Sequence, residues 1–520
     1  MRLPCCLGQV LGLALFFALV HPLDAQLSES FVIQTGMETA WKSQVQMPFT
    51  GDGVVGTHLW VDPSSAQEYA VVQLSDRTIR IPASLPSRDG SPIGIEEAKK
   101  RAKAYAARLL GDAKSVEVSV VSVPDIRLII TTSDGLVQSI DAETGELVWS
   151  SACGPVHSPA FASALSPEGI VVVHGQKLFL LDYKTGKHRF QQELKYGATS
   201  GLVVCGDLAF VVDITGRVRA YGLSKLVGTP YTYIVTGTAV GEPVSLADSP
   251  FGALATDRGY LYVFTGGKEP SEWIRYESNS AITGSLTSAN GAFYVANARG
   301  TLSKITLDER MGHIQWEYRT GDVTTSPALI AGRQVYVASE AGGLSSVDDN
   351  SGLAKWTSET VRVDQPVAVA GSNVFCTTAS GALVSLDRET GSVVALSRRI
   401  VFAKPIPNQL NDRVYIVTAG GQIQCLRPIG AKLPTMMKPV PLLLPEGEAT
   451  GDVAASDAGA GTETNTFDGG MEGDPFGEGA VDPFGEAAGG EDPFGGDAGG
   501  MEDPFGGSGS DEDPFGSSGF

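Results

Sequence analysis

Beyond residue 25 the sequence has no apolar run long enough to cross a bilayer, no adjacent cysteines, no Cys-x-x-Cys pair and no His/Cys cluster. The first absence excludes a membrane-spanning helix. The others remove the usual sequence marks of a zinc site or a disulfide framework, so no metal is expected. Cysteine is sparse: Cys153, Cys205, Cys376 and Cys425 are spread widely and show no paired spacing. Cys205, Cys376 and Cys425 lie in or at the end of apolar runs, where a free cysteine serves as a small hydrophobe. The six histidines are isolated, and His174 reads as the decoration of a hairpin turn. From Glu446 to the end there is no lysine or arginine, against 19 acidic residues. The chain's 59 acidic residues less those 19 leave 40, against 38 basic, so the net charge of −21 belongs almost wholly to that stretch. The near-neutral remainder has no single-sign field, and nucleic acid is not an expected partner.

The chain opens "MRLPCCLGQVLGLALFFALVHPLDAQ". One arginine, a short apolar stretch and a small-residue exit near Ala25 read as a secretory leader over residues 1–25. Cys5 and Cys6 precede its apolar core and none follows it in lipobox fashion. The expected product is exported to the periplasm or cell envelope, soluble or peripheral, and not a lipoprotein. Export permits disulfides without requiring them.

What is present in quantity is repetition. "DAETGELVW" at Asp141–Trp149 returns as "DYKTGKHRF" at Asp182, "DDNSGLAKW" at Asp348 and "DRETGSVVA" at Asp387. The spacings are 41, 166 and 39 residues, so one supersecondary unit is copied along the chain. Between these phrases run paired apolar stretches around a glycine: Gly135, Gly175, Gly216, Gly259, Gly300, Gly343, Gly381 and Gly421. Each pair reads as a β-hairpin, with glycine at the positive φ of its turn. Pro159, Pro243, Pro327, Pro366 and Pro405 precede hairpins by about one strand, where a strand's first residue forfeits no ladder hydrogen bond. Eight units of four antiparallel strands imply an all-β, eight-bladed propeller, an arrangement that leaves only short edges.

The phrase itself has a structural reading. Asp141, Asp182, Asp348 and Asp387 accept N–H groups across their own turns, while Gly145, Gly186, Gly352 and Gly391 take the left-handed position. Trp149, Trp316 and Trp356 wedge between blades, each burying a large apolar area. The eighth unit ends at "QIQCLRPIGAKLP" without a fourth strand, and "TGMETAWKSQV" is a spare strand with its own Trp41. An unpaired edge at the join would strand backbone groups. Glu38–Val45 is therefore expected to pair antiparallel with the strand around Gln422–Leu426 and close the ring.

The D-x-x-T/S-G-x-x-x-W phrase on a beat of about 40 residues resembles the repeat of pyrroloquinoline-quinone (PQQ) dehydrogenases. It is more similar to their cofactor-free relatives, the PQQ-like propellers of the BamB type, over about Val116 to Pro428. The dehydrogenase side of the resemblance implies a quinone and Ca²⁺ on the propeller axis beneath an adjacent-cysteine disulfide. The sequence offers no adjacent cysteines after the leader, no Glu/Asn/Asp set assignable to a cation and no large insertions between units. The expectation is therefore no catalytic residue, no cofactor and a protein-binding scaffold among envelope components, with BamB-like outer-membrane assembly as its setting. A PQQ-dependent dehydrogenase and a glycan-binding propeller are the alternatives.

Two flanks complete the division. Residues 26–115 are expected to hold the closing strand, a β-hairpin and a helix at 95–110, with Ile95, Ala98, Ala102, Tyr105 and Leu109 on one face. Residues 116–434 form the propeller. Residues 435–520 are a proline-rich linker and an acidic tail with five "DPFG" copies, at Asp474, Asp482, Asp492, Asp503 and Asp513. Low hydrophobicity and high charge predict disorder there. Phe476, Phe484, Phe494, Phe505 and Phe515 would be the anchors of a multivalent ligand, if the tail is more than a spacer.

Overall fold

The computed structural model describes residues 26–48, 53–74, 78–110, 117–224, 231–284, 286–308 and 311–437. The leader expected over residues 1–25 and the five DPFG phenylalanines lie outside the described residues. Eight antiparallel sheets are formed, seven of four strands and one of five. Blades 2 to 7 are continuous in sequence, over residues 164–193, 198–234, 239–277, 287–319, 329–358 and 363–399. Blade 1 uses Val54–Gln73, Ser119–Thr132, Leu136–Asp141 and Leu147–Ala152. Innermost strands are neighbours from blade 8 through blade 1 to blade 5 and again between blades 6 and 7, and Val363–Ala370 of blade 7 meets Val414–Thr418 of blade 8. Blades 5 and 6 are joined by Thr287 Oγ1 donating to Ala328 O at 3.0 Å.

Burial follows position within a blade. The middle strands, such as Gly169–His174 and Asn373–Thr378, are buried at every residue. Both of their faces are covered by adjoining blades, which is why they read as unbroken apolar runs. Each fully buried Val, Leu or Ile contributes about 1.5–3 kcal/mol. The outermost strands are half-covered and alternate: in Met37–Gln44, Met37 and Trp41 are buried and the residues between them are more exposed.

Blade 8 is assembled from both ends of the described chain. Phe402–Pro405, Val414–Thr418 and Gln422–Pro428 are completed by Met37–Gln44, antiparallel to Gln422–Pro428. Trp41 stands opposite Cys425 after a register shift that follows Thr39. A bond from Gln424 Nε2 to Thr39 Oγ1 (3.0 Å) and the Arg427–Glu38 ion pair (2.8 Å) fix the seam. The sequence reading missed helix α1, Glu29–Gln34. Its signals were present: Ser28 caps it, accepting from Phe31 N at 3.4 Å, and Gly36 follows at φ +69°. Phe31 and Val32 share a core with Ala395, Ile400 and Leu426. Ala395 occupies the tryptophan position of "DRETGSVVA", so the helix fills a wedge that blade 7 leaves empty.

The remaining differences from expectation have local causes. The innermost strand of blade 1 begins at Val54, upstream of the propeller start expected at 116, and pairs along its length with Ser119–Thr132. The hairpin and helix are thus an insertion between the first two strands of blade 1, with Thr78–Pro82 as its fifth strand. Helix α2, Gly94–Leu110, buries Ala98, Ala102 and Ala106 in a cluster with Ala70, Val72 and Ile79. Tyr105 and Leu109 are exposed, at 52% and 44%. The i, i+4 row of alanines lets the helix approach the sheet closely, and the bulkier residues fall at its margin. In blade 6 the left-handed hairpin glycine is Gly342 (φ +102°), not Gly343. Pro243 and Pro366 sit inside innermost strands at register shifts rather than at first residues. A bulge on a strand's free edge excuses the missing N–H equally well.

Candidate functional site

The recurrent phrase builds the contacts between blades. Asp141 Oδ1 accepts N–H bonds from Glu143 (2.9 Å) and Thr144 (2.8 Å), and Asp387 does so from Glu389 (3.0 Å) and Thr390 (2.8 Å). Asp182 and Asp348 make the same pairs. Local hydrogen bonds hold the Asp182, Asp348 and Asp387 carboxyls below the usual aspartate range, led by the Thr185 hydroxyl, the Ser351 N–H and the Thr390 N–H respectively. Each turn then receives the tryptophan of the preceding blade. Trp41 Nε1 donates to Ala142 O (3.0 Å), Trp149 to Tyr183 O (2.8 Å), Trp316 to Asp349 O (2.7 Å) and Trp356 to Arg388 O (2.9 Å). The rings lie so close to Gly145, Gly186, Gly352 and Gly391 that an added Cβ would stand 2.4–2.7 Å from them. These glycines are needed both for positive φ and for the absence of a side chain.

Other groups replace the tryptophan dock at one joint and reinforce it at another. Between blades 3 and 4, Phe210, Tyr233, Tyr262 and Phe264 share one cluster, with the Phe210 and Phe264 centroids 5.1 Å apart. Between blades 5 and 6, Lys304 Nζ bonds Asp349 Oδ1 at 2.8 Å, and Tyr294 and Asn290 also donate to that carboxylate. His174 is buried, not a turn decoration: its two ring nitrogens face the carbonyls of Cys153 and Ser158. Cys153, Cys205, Cys376 and Cys425, the cysteines among the described residues, are free and buried, and burial pushes the Cys153 thiol up to about 12.

At the axis, residues from every blade converge. A cavity of about 460 Å³ is lined by, among others, His58, Ser163, Glu242, Thr287, Gln365 and Lys404. Glu242 belongs to blade 4 and Lys404 to blade 8, on opposite sides of a ring of eight. Lys404 Nζ reaches across to Glu242 Oε1 and donates also to Val55 O at 2.5 Å. His58 Nε2 faces the Ser163 carbonyl at 2.5 Å, which makes it the donor nitrogen. Burial pushes the His58 pKa down, assisted by Lys404 and opposed by Glu242 and by the Ser163 carbonyl. None of these three residues stood out in the sequence, where they are far apart and belong to no motif. The donor set does not fit a Ca²⁺-bound quinone. Calcium takes 6–8 oxygen ligands, the axis supplies one carboxylate already held by Lys404, and no metal-competent acidic/His/Cys group occurs among the described residues.

Comparison with known proteins agrees with this architecture. Residues 117–230 and 255–425 match the family described as outer membrane protein assembly factor BamB. These stretches, 114 and 171 residues, are more than half of 520. The BamB of Alteromonas naphthalenivorans is 28% identical over 231 residues, which are 44% of this chain and 47% of the relative, so the chain spans about half that relative's length. Among solved structures, BamB from Moraxella catarrhalis aligns at TM-score 0.46 and 18% identity, over 58% of this chain and 91% of that one. The computationally designed Ika8 protein aligns at TM-score 0.45 and 15% identity, over 57% and 92%. The family match falls on the blades described above, and the chain belongs to the family of the outer membrane protein assembly factor BamB.

Proposed function

We infer that this protein is an exported, non-catalytic propeller that binds envelope proteins as a scaffold in outer-membrane assembly. The observation that carries the reading is family membership across the blades. A second observation suggests where partners meet it. Val156, Ile214, Ile234 and Val401 are exposed at 62–67%, in or beside the hairpin turn of blade 3 and the connections that lead from one blade to the next. These four are proposed as contact points for a protein partner; Ile33, Leu353 and Ile429 are as exposed elsewhere on the molecule.

The test is crosslinking of the full-length protein in outer-membrane extracts, with partners identified by mass spectrometry. Aspartate at Val156, Ile214 and Val401 should abolish crosslinks to assembly components while leaving the melting temperature within a few degrees. Unchanged crosslinks would remove that surface from the reading. A stoichiometric, Ca²⁺-dependent PQQ complex in an absorbance titration would replace the scaffold with the dehydrogenase. The DPFG segment is proposed as an auxiliary partner array. Changing Phe476, Phe484, Phe494, Phe505 and Phe515 together to alanine should weaken capture; capture that survives makes the tail a spacer.

A further inference from the structure

The axial cavity has a charge arrangement that the scaffold reading does not use. Its formally charged side chains are one ammonium and one carboxylate, Lys404 and Glu242, placed side by side by opposite blades. Neither is sealed: their side chains keep 28% and 45% of their exposure. A pair open to water is worth only about 0–1 kcal/mol, so each partner can be exchanged for a ligand group at little cost. His58 stays a hydrogen-bonding neighbour that adds no charge at neutral pH, since burial lowers its pKa. The cavity volume of about 460 Å³ falls within the usual range for small-molecule sites, about 300–1,000 Å³.

Charge complementarity selects among ligands. A simple anion would meet Lys404 but press its charge against Glu242, and a simple cation would do the reverse. A molecule with ammonium and carboxylate on one carbon offers both charges on one side. It can replace the Lys404–Glu242 bond with two new ones and leave no charge unpaired. We propose that the axial cavity binds a small zwitterion of the α-amino-acid class, with its carboxylate on Lys404 and its ammonium on Glu242. The ligand enters between the innermost strands, and its side chain lies along Leu165, Leu286 and Pro327, which line the same cavity. This site is independent of the partner surface on the rim of the ring.

The experiment uses the full chain and four probes at matched ionic strength: L-alanine, propionate, ethylamine and glucose. Binding is read by calorimetric titration and by the shift in melting temperature. L-Alanine should bind saturably and raise the melting temperature, and the other three should not. Glu242→Gln and Lys404→Gln should each weaken alanine binding about ten- to a hundredfold, the value of a hydrogen bond to a charged group. If one variant does not fold, the other gives the same reading from the opposite blade. Equal binding of propionate and alanine would make this an anion site and overturn the proposal. Preferential glucose binding, binding unchanged in a folded variant, or no saturable alanine binding would overturn it as well.

Discussion

Gly186 shows how two sequence positions in different blades depend on each other. It holds φ +67°, and a Cβ there would come within 2.4 Å of the Trp149 ring. Gly186→Ala should therefore cost about 1–3 kcal/mol through overpacking and backbone strain. Trp149→Ala should cost about 3–5 kcal/mol. The double variant should cost less than the sum, because the second change removes the ring against which the first collides. Urea melts of the three variants measure this, and strict additivity would argue against the dock. Asp349 gives a pH test. Burial raises its pKa, but the bonds from Lys304, Tyr294 and Asn290 outweigh burial and hold it low. A depressed carboxyl contributes stability that is present above the ordinary aspartate pKa and is lost as pH falls through the lowered value. Asp349→Asn leaves Lys304 buried and uncompensated, and should cost about 3–5 kcal/mol at neutral pH. The difference from the parent should narrow in melts run below the ordinary aspartate range. A difference that stays constant through that range and on below it would contradict the assignment.

At the scale of elements, the closing strand and α1 act as one clasp. Met37–Gln44 supplies the ladder partner of Gln422–Pro428, and α1 fills the space beside Ala395. Deleting residues 26–46 would expose the backbone edge of Gln422–Pro428 and leave Gly145 without Trp41. The expected outcome is aggregation on size-exclusion chromatography and loss of amide protection in 414–428. Monomeric behaviour with protection retained would show that the ring holds without the clasp. Phe31→Ala is the milder probe, expected to cost about 3–5 kcal/mol for a buried phenylalanine. The insertion in blade 1 behaves differently. Its core is six small or branched residues, Ala70, Val72, Ile79, Ala98, Ala102 and Ala106, so it should open at lower free energy than the blades.

For the whole molecule, charge and stability should separate. Removing residues 446–520 changes the formal net charge from −21 to −2, since all 19 residues lost in charge are acidic. The segment's low hydrophobicity and high charge predict that it adds no core of its own. The melting temperature should therefore move by no more than a few degrees while the isoelectric point rises sharply. A large fall in melting temperature would assign the segment a folding role.

The eight hairpins determined the blade count, and the four copies of the phrase the Asp turns and most of the tryptophan positions, because each is local chemistry recurring at a fixed interval. Even the ring closure was legible, since a spare strand carrying Trp41 and a blade lacking its fourth strand imply each other. The helix face was only half legible: Tyr105 and Leu109 share a periodic face with the alanines, and only the close approach to the sheet excludes them. Nothing local distinguishes Gly342 from Gly343; the turn geometry chose. The axial trio was invisible. His58, Glu242 and Lys404 come from three blades and are separated by 184 and 162 residues. Their meeting depends on the ring closing with blade 4 opposite blade 8, a global constraint that no window of sequence contains. Local periodicity decided the blades, and closure of the ring decided what faces its axis.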